Sequence, residues 1–578
     1  MTKDNKIPHA GIITVAAAHV VFLISFLCYW LVCLKAVNKA EPMMLFMLPA
    51  VYLMLILFSF CGAKLKNKKF FVSFREYSFF LFVFIFLFAV FFAGKMSLPD
   101  PHNFFQRKCE IILGASYAFF TLIMTIKLLA GLAEKDIAAK TTLKYLMLIF
   151  FIFYFFISIW FNIANEPAGD EPIYLLVAHS IVHDGDIDLS DNYQKKDYKK
   201  YYSRELKPQA DDIRKKEKLF SYHPLFPSVF FAPFYFIAGR AGATIAVNMV
   251  CAVFVAILFA ALYTEFNKKR DALITASVAG LTMPFFMFVN QTGTDALSAF
   301  FLLASFYLLR YRKERVFLFS GAVVLLFFTH VRNAPACGVI GLLYVLANRK
   351  EPRRFMGFLM VAAASIALYL LINTVLYGRP VLSHGGGFIF SALHILKGMV
   401  VLFFDRQMGL FAYAPVYILI FTGAALLYRQ KRGLLYTLSA LFIPVYLMAS
   451  AWNDWGVGSS SPRYFLPVFF IFAYLLMPVI VYSGKRPGQI ILQALILWTG
   501  LISAAIAMIP WFRWDKTGTE NWILSIISRL VHFDFSNLFP SFNYGRNTVI
   551  QFIVWALAVL LANIVFFKGL KKNYKETK

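Results

Sequence analysis

The hydrophobic pattern of this chain consists of long apolar stretches separated by mostly short polar ones. Apolar runs of about 20 residues, the length that crosses a hydrocarbon core, recur from end to end. We expect membrane-spanning helices at residues 11–34, 43–63, 77–94, 109–131, 143–163, 242–264, 272–290, 293–309, 316–329, 334–347, 355–377, 410–428, 433–451, 464–482, 488–511 and 548–567. The pattern predicts an all-α polytopic membrane protein with about 14–16 transmembrane helices, because two of these runs are short for full crossings.

The polar stretches include one long loop. Residues 164–222 have a mixed polar pattern, which we interpret as short helices on the membrane surface rather than a separate domain. Residues 224–238 are apolar but contain three prolines, so a re-entrant or surface helix suits them better than a full span. A further surface helix is expected at residues 520–530, where Trp and Ile would lie at headgroup depth.

Composition supports the membrane interpretation and changes the meaning of the charge. The chain of 578 residues is 60% hydrophobic and contains 66 Phe, whereas soluble domains are roughly 45–50% apolar. A net charge of +27 would suggest nucleic acid in a soluble protein. Here Lys and Arg collect in short loops, as the positive-inside rule describes, so we expect no nucleic-acid partner. The six cysteines show neither a disulfide framework nor a metal motif.

The basic loops predict the orientation of the chain. Seven basic stretches fall on one side if both termini are cytoplasmic; they are residues 64–69, 267–270, 310–315, 348–354, 429–432, 484–486 and 568–578. Other loops then face outward, and they are residues 165–174, 290–295, 378–409, 452–455 and 512–547.

An acidic pair stands just beyond one predicted span, in the outer loop. Asp170 and Glu171 are candidates for a general base and for a metal or hydrogen-bond partner, and Tyr174 follows one turn later. A carboxylate at this depth is well placed to act on a substrate whose reactive group lies among the lipid headgroups. The alternative is an innocent helix start, in which Asp170 caps a helix that Pro172 opens.

Further charged residues are expected on the same face. Asp295 begins a predicted span, and His330 with Arg332 lies at the junction of the two short spans. Arg406 and Arg463 also reach the outer face. Carboxylates together with forked cations suit a lipid-phosphate substrate, although basic residues that merely extend to the interface are the alternative for each one.

The acidic run Asp184–Asp191 invites a calcium interpretation. It fails the EF-hand pattern, because Leu189 takes the glycine position and Lys195 the position of the bidentate glutamate. We interpret it as a polar turn.

Several blocks in this order resemble bacterial integral-membrane glycosyltransferases. GDEPIYLLVAHSIVHDGDIDL and HPLFPSVFFAPFYFIAGRAG, followed by DRQMGLFAYAPVYIL (405–419) and WNDWGVGSSSPRYFLP (452–467), are similar to the GT-C superfamily. Within it they look most like the group of protein O-mannosyltransferases and lipid A aminoarabinose transferases (glycosyltransferase family 39-like). The resemblance divides the chain into an N-terminal four-helix extension (1–140), a GT-C-like catalytic core (141–467) and C-terminal helices (468–578).

The resemblance implies an inverting transferase that takes a sugar from a polyprenyl-phosphate donor on the outer, periplasmic face of the bacterial cytoplasmic membrane. Asp170 matches the acid that serves the acceptor, with Glu171 beside it. Asp295 matches a second carboxylate, although Gly-Thr-Asp replaces the expected tyrosine–proline–acid pattern. Arg332, Arg406 and Arg463, with Tyr174 and His330, would bind the substrate. A divalent metal ion stays open, because some members use one and others do not.

Alternatives come from other classes of protein. A transporter or flippase of a lipid-linked glycan would place ionisable residues near the bilayer midplane, and a glycan ligase or polymerase would also use outer-face Arg and His. A structural scaffold is the remaining alternative. The sugar is not specified, and the acceptor is open among protein, lipid and glycan.

Overall fold

The computed structural model describes residues 104–209, 214–215, 218–380, 387–453, 455, 463–483, 486–510, 548–576 and scattered positions within 521–542. All of these belong to one compact unit of the chain. The predicted spans 11–34, 43–63 and 77–94 lie outside the described residues, as do most of the predicted N-terminal domain and of the surface helix at 520–530.

The first part of the described chain is a series of helices joined by short turns. Helices α1 to α5 span Phe104–Glu134, Ala139–Ala164, Glu171–His183, Ser190–Lys195 and Leu225–Phe266. Helices α6 to α10 span Lys269–Leu281, Thr294–Tyr311, Val316–Thr329, Ala334–Ala347 and Pro352–Tyr377. Short 3-10 turns lie at Asp197–Lys200, Phe285–Phe288 and Val331–Asn333.

The second part continues in the same way. Helices α11 to α14 span Ala392–Phe404, Leu410–Tyr413, Ile420–Gln430 and Arg432–Ser450. Helices α15 to α17 span Phe469–Tyr482, Arg486–Met508 and Thr548–Glu576. Further 3-10 turns lie at Pro415–Leu419 and Arg463–Val468. The described strands are β1 (Arg214–Lys215) and β2 (Lys218–Leu219), an antiparallel pair with Arg214 opposite Leu219.

Many of these helices are suited to a bilayer. Within the described residues, eight helical segments are long and apolar enough to span a membrane, and they belong to α1, α2, α5, α10, α14, α15, α16 and α17. Helices α8, α9 and α11 are shorter apolar helices. The protein is thus an all-α polytopic membrane protein, with a short two-stranded sheet in the part that the structure describes. This confirms the fold class that the hydrophobic pattern predicted.

Two predicted spans are interrupted. The run 272–290 is helical only to Leu281, because Pro284 lacks a backbone N–H and restricts the residue before it to extended geometry. The run 410–428 breaks around Pro415 for the same reason, leaving α12, a 3-10 turn and α13. An apolar run of the right length therefore did not guarantee one continuous helix. The stretch 378–409, predicted only as an outer loop, contains helix α11.

The loop 164–222 contains short helices, as expected, and has a small core of its own. Ile173, Leu176 and Val177 of α3 pack against apolar residues from the rest of the loop, namely Leu189, Tyr198, Leu206 and Leu219. Helix α3 also packs on α5. The acidic run 184–191 forms turns at the edge of this core, with only Leu189 buried in it. Asp186 Oδ1 accepts from Ser180 Oγ at 2.9 Å, and Asp188 Oδ1 accepts from Ser190 Oγ at 2.7 Å.

Basic and acidic residues lie at opposite ends of helix α7, and the basic end also includes the C-terminus of α5. At their C-terminal ends, Glu265 accepts from Arg310 Nε at 3.1 Å and Nη2 at 3.2 Å and from Lys431 Nζ at 2.9 Å. Three predicted cytoplasmic stretches, 267–270, 310–315 and 429–432, therefore meet at or near one end of the helices. The N-terminal end of α7 holds Asp295, so the acidic candidates lie at the opposite end.

Candidate functional site

Asp170 lies at the position of a helix cap but does not act as one. It follows Gly169, whose φ of +62° makes the turn into α3. Its backbone carbonyl accepts from the N–H groups of Ile173 and Tyr174 at 3.1 and 3.2 Å, while its side chain makes no capping hydrogen bond. The side chain is 47% exposed. The carboxylate therefore remains open to a substrate, in contrast to the capping alternative.

Glu171, next to it, is buried and engaged in contacts. Its Oε1 accepts from Thr292 Oγ1 at 3.1 Å and lies 3.8 Å from Arg240 Nε. Its Oε2 accepts from the Ala168 N–H at 3.4 Å. The Glu171 side chain is 5% exposed. These contacts give Glu171 a place in the framework that holds the loop, while Asp170 faces outward.

Tyr174 is the point at which the predicted charged residues meet. Its side chain is buried and its ring lies against Gly293, where an added Cβ would be 3.8 Å from Cε2. Burial raises the pKa of the Tyr174 hydroxyl well above its ordinary value, and the carboxylates of Asp170 and Asp295 raise it further, while Arg332 and Arg463 lower it. Tyr174 is therefore a neutral hydroxyl between groups of both signs.

Asp295 and Arg332 form an ion pair. Asp295 lies in the first turn of α7 and is buried. Arg332 Nη2 donates to Asp295 Oδ1 and, at 3.2 Å, to Thr294 Oγ1. His330 Nδ1 accepts from the Arg332 backbone N–H at 3.1 Å, which fixes the 3-10 turn that carries the arginine. Both of these guanidinium contacts use the same nitrogen, Nη2.

Arg463 and Arg406 differ in position. Arg463, at the start of a 3-10 turn that packs on α7, interacts electrostatically with Asp295 and Asp170. Arg406 lies in a second cluster: its backbone N–H donates to Pro540 O at 2.9 Å, and its carbonyl accepts from Asn521 Nδ2 at 2.7 Å. Arg463 thus lies within electrostatic range of the acidic candidates, whereas Arg406 contacts residues of the loop 512–547 that we predict to be outside.

His223 is a site residue that the sequence analysis did not select. It is buried, its ring centroid is 5.3 Å from that of Tyr174, and its Nε2 is 3.9 Å from Asp170 Oδ1. Nε2 donates to Gln209 Oε1 at 2.6 Å, which identifies the protonated nitrogen of the neutral ring. Burial lowers the pKa of His223, and the Asp170 carboxylate partly offsets this. The only signal was its place in the quoted block HPLFP.

An apolar cavity of about 230 Å³ opens beside these groups. It is bounded by the start of α5, the end of α8 and the C-terminal half of α10. Its lining residues are Tyr222, His223, Pro224, Leu225, Phe226, Val229, Phe327, Phe328, Val331, Tyr369, Ile372, Asn373 and Tyr377. Among the candidate spans of the described chain, α10 is the least buried. The cavity therefore has one wall suited to face lipid, and it borders both His223 and the residue before Arg332.

The donor set for a metal ion is small. Across the described residues, no group of three or more His, Cys, Asp or Glu side chains is placed to hold a metal ion. At the site, Asp170 and His223 are adjacent, while Glu171 is occupied by Arg240 and Thr292. A catalytic zinc ion commonly takes three protein ligands. These residues do not form such a set, so we derive no step through a metal.

The arrangement combines an exposed carboxylate, a neutral buried hydroxyl, two arginines and an apolar cavity. An exposed carboxylate can accept a proton from a bound hydroxyl. Two guanidinium groups can stabilise negative charge that develops on a phosphate. In comparisons with known proteins, the chain matches no protein-family model and no curated sequence, so the geometry of this site and the resemblance of its motifs are what bear on function.

Proposed function

We propose that this protein is a membrane glycosyltransferase that moves a sugar from a polyprenyl-phosphate donor to an envelope acceptor, with inversion. We place the reaction on the outer face of a bacterial cytoplasmic membrane. The proposal is carried by one observation: the exposed Asp170 lies 3.9 Å from His223, which packs on Tyr174 and lines an apolar cavity. The Tyr174 ring also lies against Gly293, two residues before the Asp295 that pairs with Arg332. A substrate with a charged head and an apolar tail suits that combination.

The apolar part of the donor would occupy the cavity. Its wall is almost entirely aromatic and aliphatic, and apolar cavities of comparable size take up apolar ligands. Because the cavity borders His223 and Val331, a chain bound there would place its head group near Asp170 and Arg332.

The phosphate would lie near the arginines. Arg332 presents a guanidinium whose position is fixed by Asp295 and Thr294, and Arg463 adds a second cation. A lipid phosphate leaves without a general acid when cations hold its charge. The Asp295 carboxylate thus orients Arg332 and keeps the local charge near balance in the absence of substrate.

Asp170 would act as the base. The acceptor oxygen forms a bond to the anomeric carbon as the bond from that carbon to the phosphate oxygen breaks. The electron pair leaves with the lipid phosphate, and the acceptor proton passes to Asp170. A single displacement inverts the anomeric centre and needs no carboxylate nucleophile, unlike a retaining glycosidase.

The location of the acids favours the transferase over the transporter alternative. Asp170 precedes α3, and Asp295 lies in the first turn of α7. A transporter would place such groups near the bilayer midplane, between broken helices. Groups at the helix ends suit chemistry at the depth of lipid headgroups.

The proposal is tested by comparing envelope glycans in a strain that lacks the gene with those in its parent. Mass spectrometry should show loss of one sugar modification, restored by the wild-type gene. Purified protein in lipid nanodiscs should then transfer that sugar from its polyprenyl phosphate. An unchanged glycan profile, together with no consumption of any polyprenyl-phosphate sugar offered, would contradict the proposal.

A further inference from the structure

Arg240 is a largely buried cation at the start of the second part of α5. It follows a kink at Ala238 and Gly239, where Gly239 has φ +55° and ψ −137°, a conformation that favours glycine. Thr244 and Asn248 continue from Arg240 at intervals of four residues, so the three share one face of the helix. This face meets α2, where Asn162 Nδ2 donates to Thr244 Oγ1 at 3.1 Å and Asn248 Nδ2 donates to Ser158 Oγ at 2.9 Å.

Arg240 connects the end of α2 to the acidic loop. Its Nη1 donates to the carbonyls of Asn162 at 3.3 Å and Asn165 at 3.0 Å. Carbonyls at a helix C-terminus lack intrahelical partners and carry partial negative charge, so a cation is favourable there. Its Nε lies 3.8 Å from Glu171 Oε1. One guanidinium therefore hydrogen-bonds the end of α2 and forms an ion pair, without a hydrogen bond from Nε, with the first residue of α3 on the other side of the turn that carries Asp170.

Glu171 extends this connection to the second acid. Its Oε1, the atom nearest Arg240, also accepts from Thr292 Oγ1, and Thr292 stands three residues before Asp295. The side chains of Arg240 and Glu171 are 15% and 5% exposed. Burying a charged pair is costly, so its presence here calls for a role besides stability.

We propose that Arg240 is a positioning residue, which acts through Glu171 to hold the Asp170 loop in a fixed place relative to Asp295. This inference rests on the proposed function for its effect on catalysis. The acceptor and the phosphate must be aligned for a single displacement, and a misplacement of about 1 Å can reduce the rate by about 10²-fold. Arg240 touches neither, and its effect on the rate comes from the geometry of the loop.

The test uses variants of Arg240 that separate the positive charge from the forked shape of the guanidinium group. Arg240→Met removes the charge and the donors, while Arg240→Lys keeps the charge but not the fork. Glu171→Gln weakens the same pair from its other side. Arg310→Met is the matched control, because Arg310 pairs with the buried Glu265 at the opposite end of α5. Size-exclusion chromatography of each variant identifies any that fails to fold, and the two milder variants remain informative if Arg240→Met does.

Transfer kinetics should divide these variants. Arg240→Met should lower kcat about 10²-fold with little change in KM for the donor, Arg240→Lys should recover part of the loss, and Glu171→Gln should resemble Arg240→Lys. Arg310→Met should leave kcat unchanged while lowering the melting temperature. Equal kcat values in Arg240→Met and the parent would overturn the inference.

A second measurement needs no activity. A nitroxide is attached to Asp170→Cys in a chain whose native cysteines are replaced by alanine, and its mobility is measured by electron paramagnetic resonance. Arg240→Met should sharpen the spectrum, whereas Arg310→Met should not. If the parent protein itself transfers no sugar, the proposed function fails. The spectrum then still shows whether Arg240 positions the Asp170 loop. The same spectrum in both methionine variants would overturn the inference.

Discussion

Asp170 and Glu171 are adjacent in the chain but have opposite surroundings. Glu171 is buried against Arg240 and Thr292, whereas Asp170 is half exposed beside His223. The first residue of a helix and its neighbour point in different directions, which explains how one can face the substrate while the other holds the loop. These surroundings fit the proposed roles, in which Asp170 takes the proton and Glu171 supports the loop.

Arg332 should contribute to donor binding through the shape of its guanidinium. We expect Arg332→Ala to raise KM for the polyprenyl-phosphate sugar and lower kcat without changing expression, because it removes a cation and leaves the buried Asp295 without this partner. Arg332→Lys should recover only part of the lost activity, since an ammonium group cannot reproduce the forked contacts of a guanidinium. Steady-state kinetics with the purified variants checks this. Full activity of Arg332→Ala would remove Arg332 from the phosphate site.

His179 should make stability depend on pH. Lys200 Nζ lies 3.2 Å and Asp197 Oδ1 3.5 Å from His179 Nε2, and Tyr235 Oη lies 3.3 Å from Nδ1. Because Lys can only donate, a hydrogen bond from Lys200 requires a neutral ring that accepts at Nε2. Burial, followed by Lys200 and His183, lowers the pKa of His179 below its ordinary value, although Asp197 and Asp184 oppose this. A histidine with a lowered pKa binds protons more readily when unfolded. The contribution of His179 to the free energy of unfolding is therefore complete above about pH 6.5, and it is lost as the pH falls from there through the pKa of the folded state.

Melting temperatures measured between pH 7.5 and pH 5 should thus fall with pH in the wild type and fall less in His179→Gln. His183→Gln, which alters the exposed neighbour on the same helix, serves as the comparison. A pH dependence that is the same in His179→Gln as in the wild type would contradict this assignment.

Local sequence patterns predicted several site residues but not their pairing. Asp170, Tyr174, Asp295, Arg332 and Arg463 were selected from their places at the ends of apolar runs. The ion pair between Asp295 and Arg332 joins residues 37 positions apart, and no local signal specifies such a contact. His223 and Arg240 were missed because a lone histidine before a proline and a lone arginine within an apolar block have no distinctive spacing.

At the scale of the helices, hydrophobicity predicts where an apolar run lies but not whether the run forms one continuous helix. The apolar runs around Pro284 and Pro415 have the composition of spans, yet the helix breaks near each proline. In α5, residues 225–237 and 240–266 form two helical parts across the kink at Ala238 and Gly239. Residues 224–238, predicted as a re-entrant or surface helix, are thus helical from Leu225 and run into the next span, while their position in the membrane stays a prediction. Backbone geometry at proline and glycine therefore interrupts these helices at positions that hydrophobicity does not reveal.

Helix α10 should determine how the lipid chain binds. Ile372 lines the cavity, whereas its neighbour Leu371 does not and is 59% exposed. We expect Ile372→Trp to fill part of the cavity and raise KM for a long-chain polyprenyl-phosphate sugar, with little effect on a short-chain donor analogue. Leu371→Trp is the matched control and should change KM for neither the long-chain donor nor the short-chain analogue. Equal effects of Ile372→Trp on both donors would show that the cavity does not hold the chain.

Over the whole molecule, the charge distribution was the most informative feature of the sequence. The basic stretches near Glu265 gather at the C-terminal ends of α5 and α7, and the acidic candidates gather at the N-terminal end of α7. The positive-inside rule predicted this separation from composition alone. The number of spans and the role of residues 1–140 depend on segments outside the described residues, so they stay predictions.

The orientation of these two ends is open to direct measurement. In a chain whose native cysteines are replaced, Gln194→Cys should react with a membrane-impermeant thiol reagent added to intact cells, because we place the loop 164–222 outside. Lys268→Cys, exposed at the other end, should react only after the membrane is opened. Reversal of the two results would put the acidic site on the cytoplasmic side and contradict the proposed location.

The central claim is that Asp170 accepts the proton of the acceptor. Asp170→Asn keeps the size of the side chain but cannot take the proton, so we expect the rate of sugar transfer to fall about 10²–10⁴-fold in a folded protein. Asp191→Asn is the matched control, because Asp191 is an exposed carboxylate in the same loop, paired with Lys195, and its variant should keep the wild-type rate.

Rates of labelled-sugar transfer by these two variants in lipid nanodiscs are the most direct test. Loss in Asp170→Asn with retention in Asp191→Asn is the predicted result. An Asp170→Asn enzyme that keeps more than about half of the wild-type rate, against the loss expected for a general base, would contradict the claim and make Asp170 part of the helix start alone.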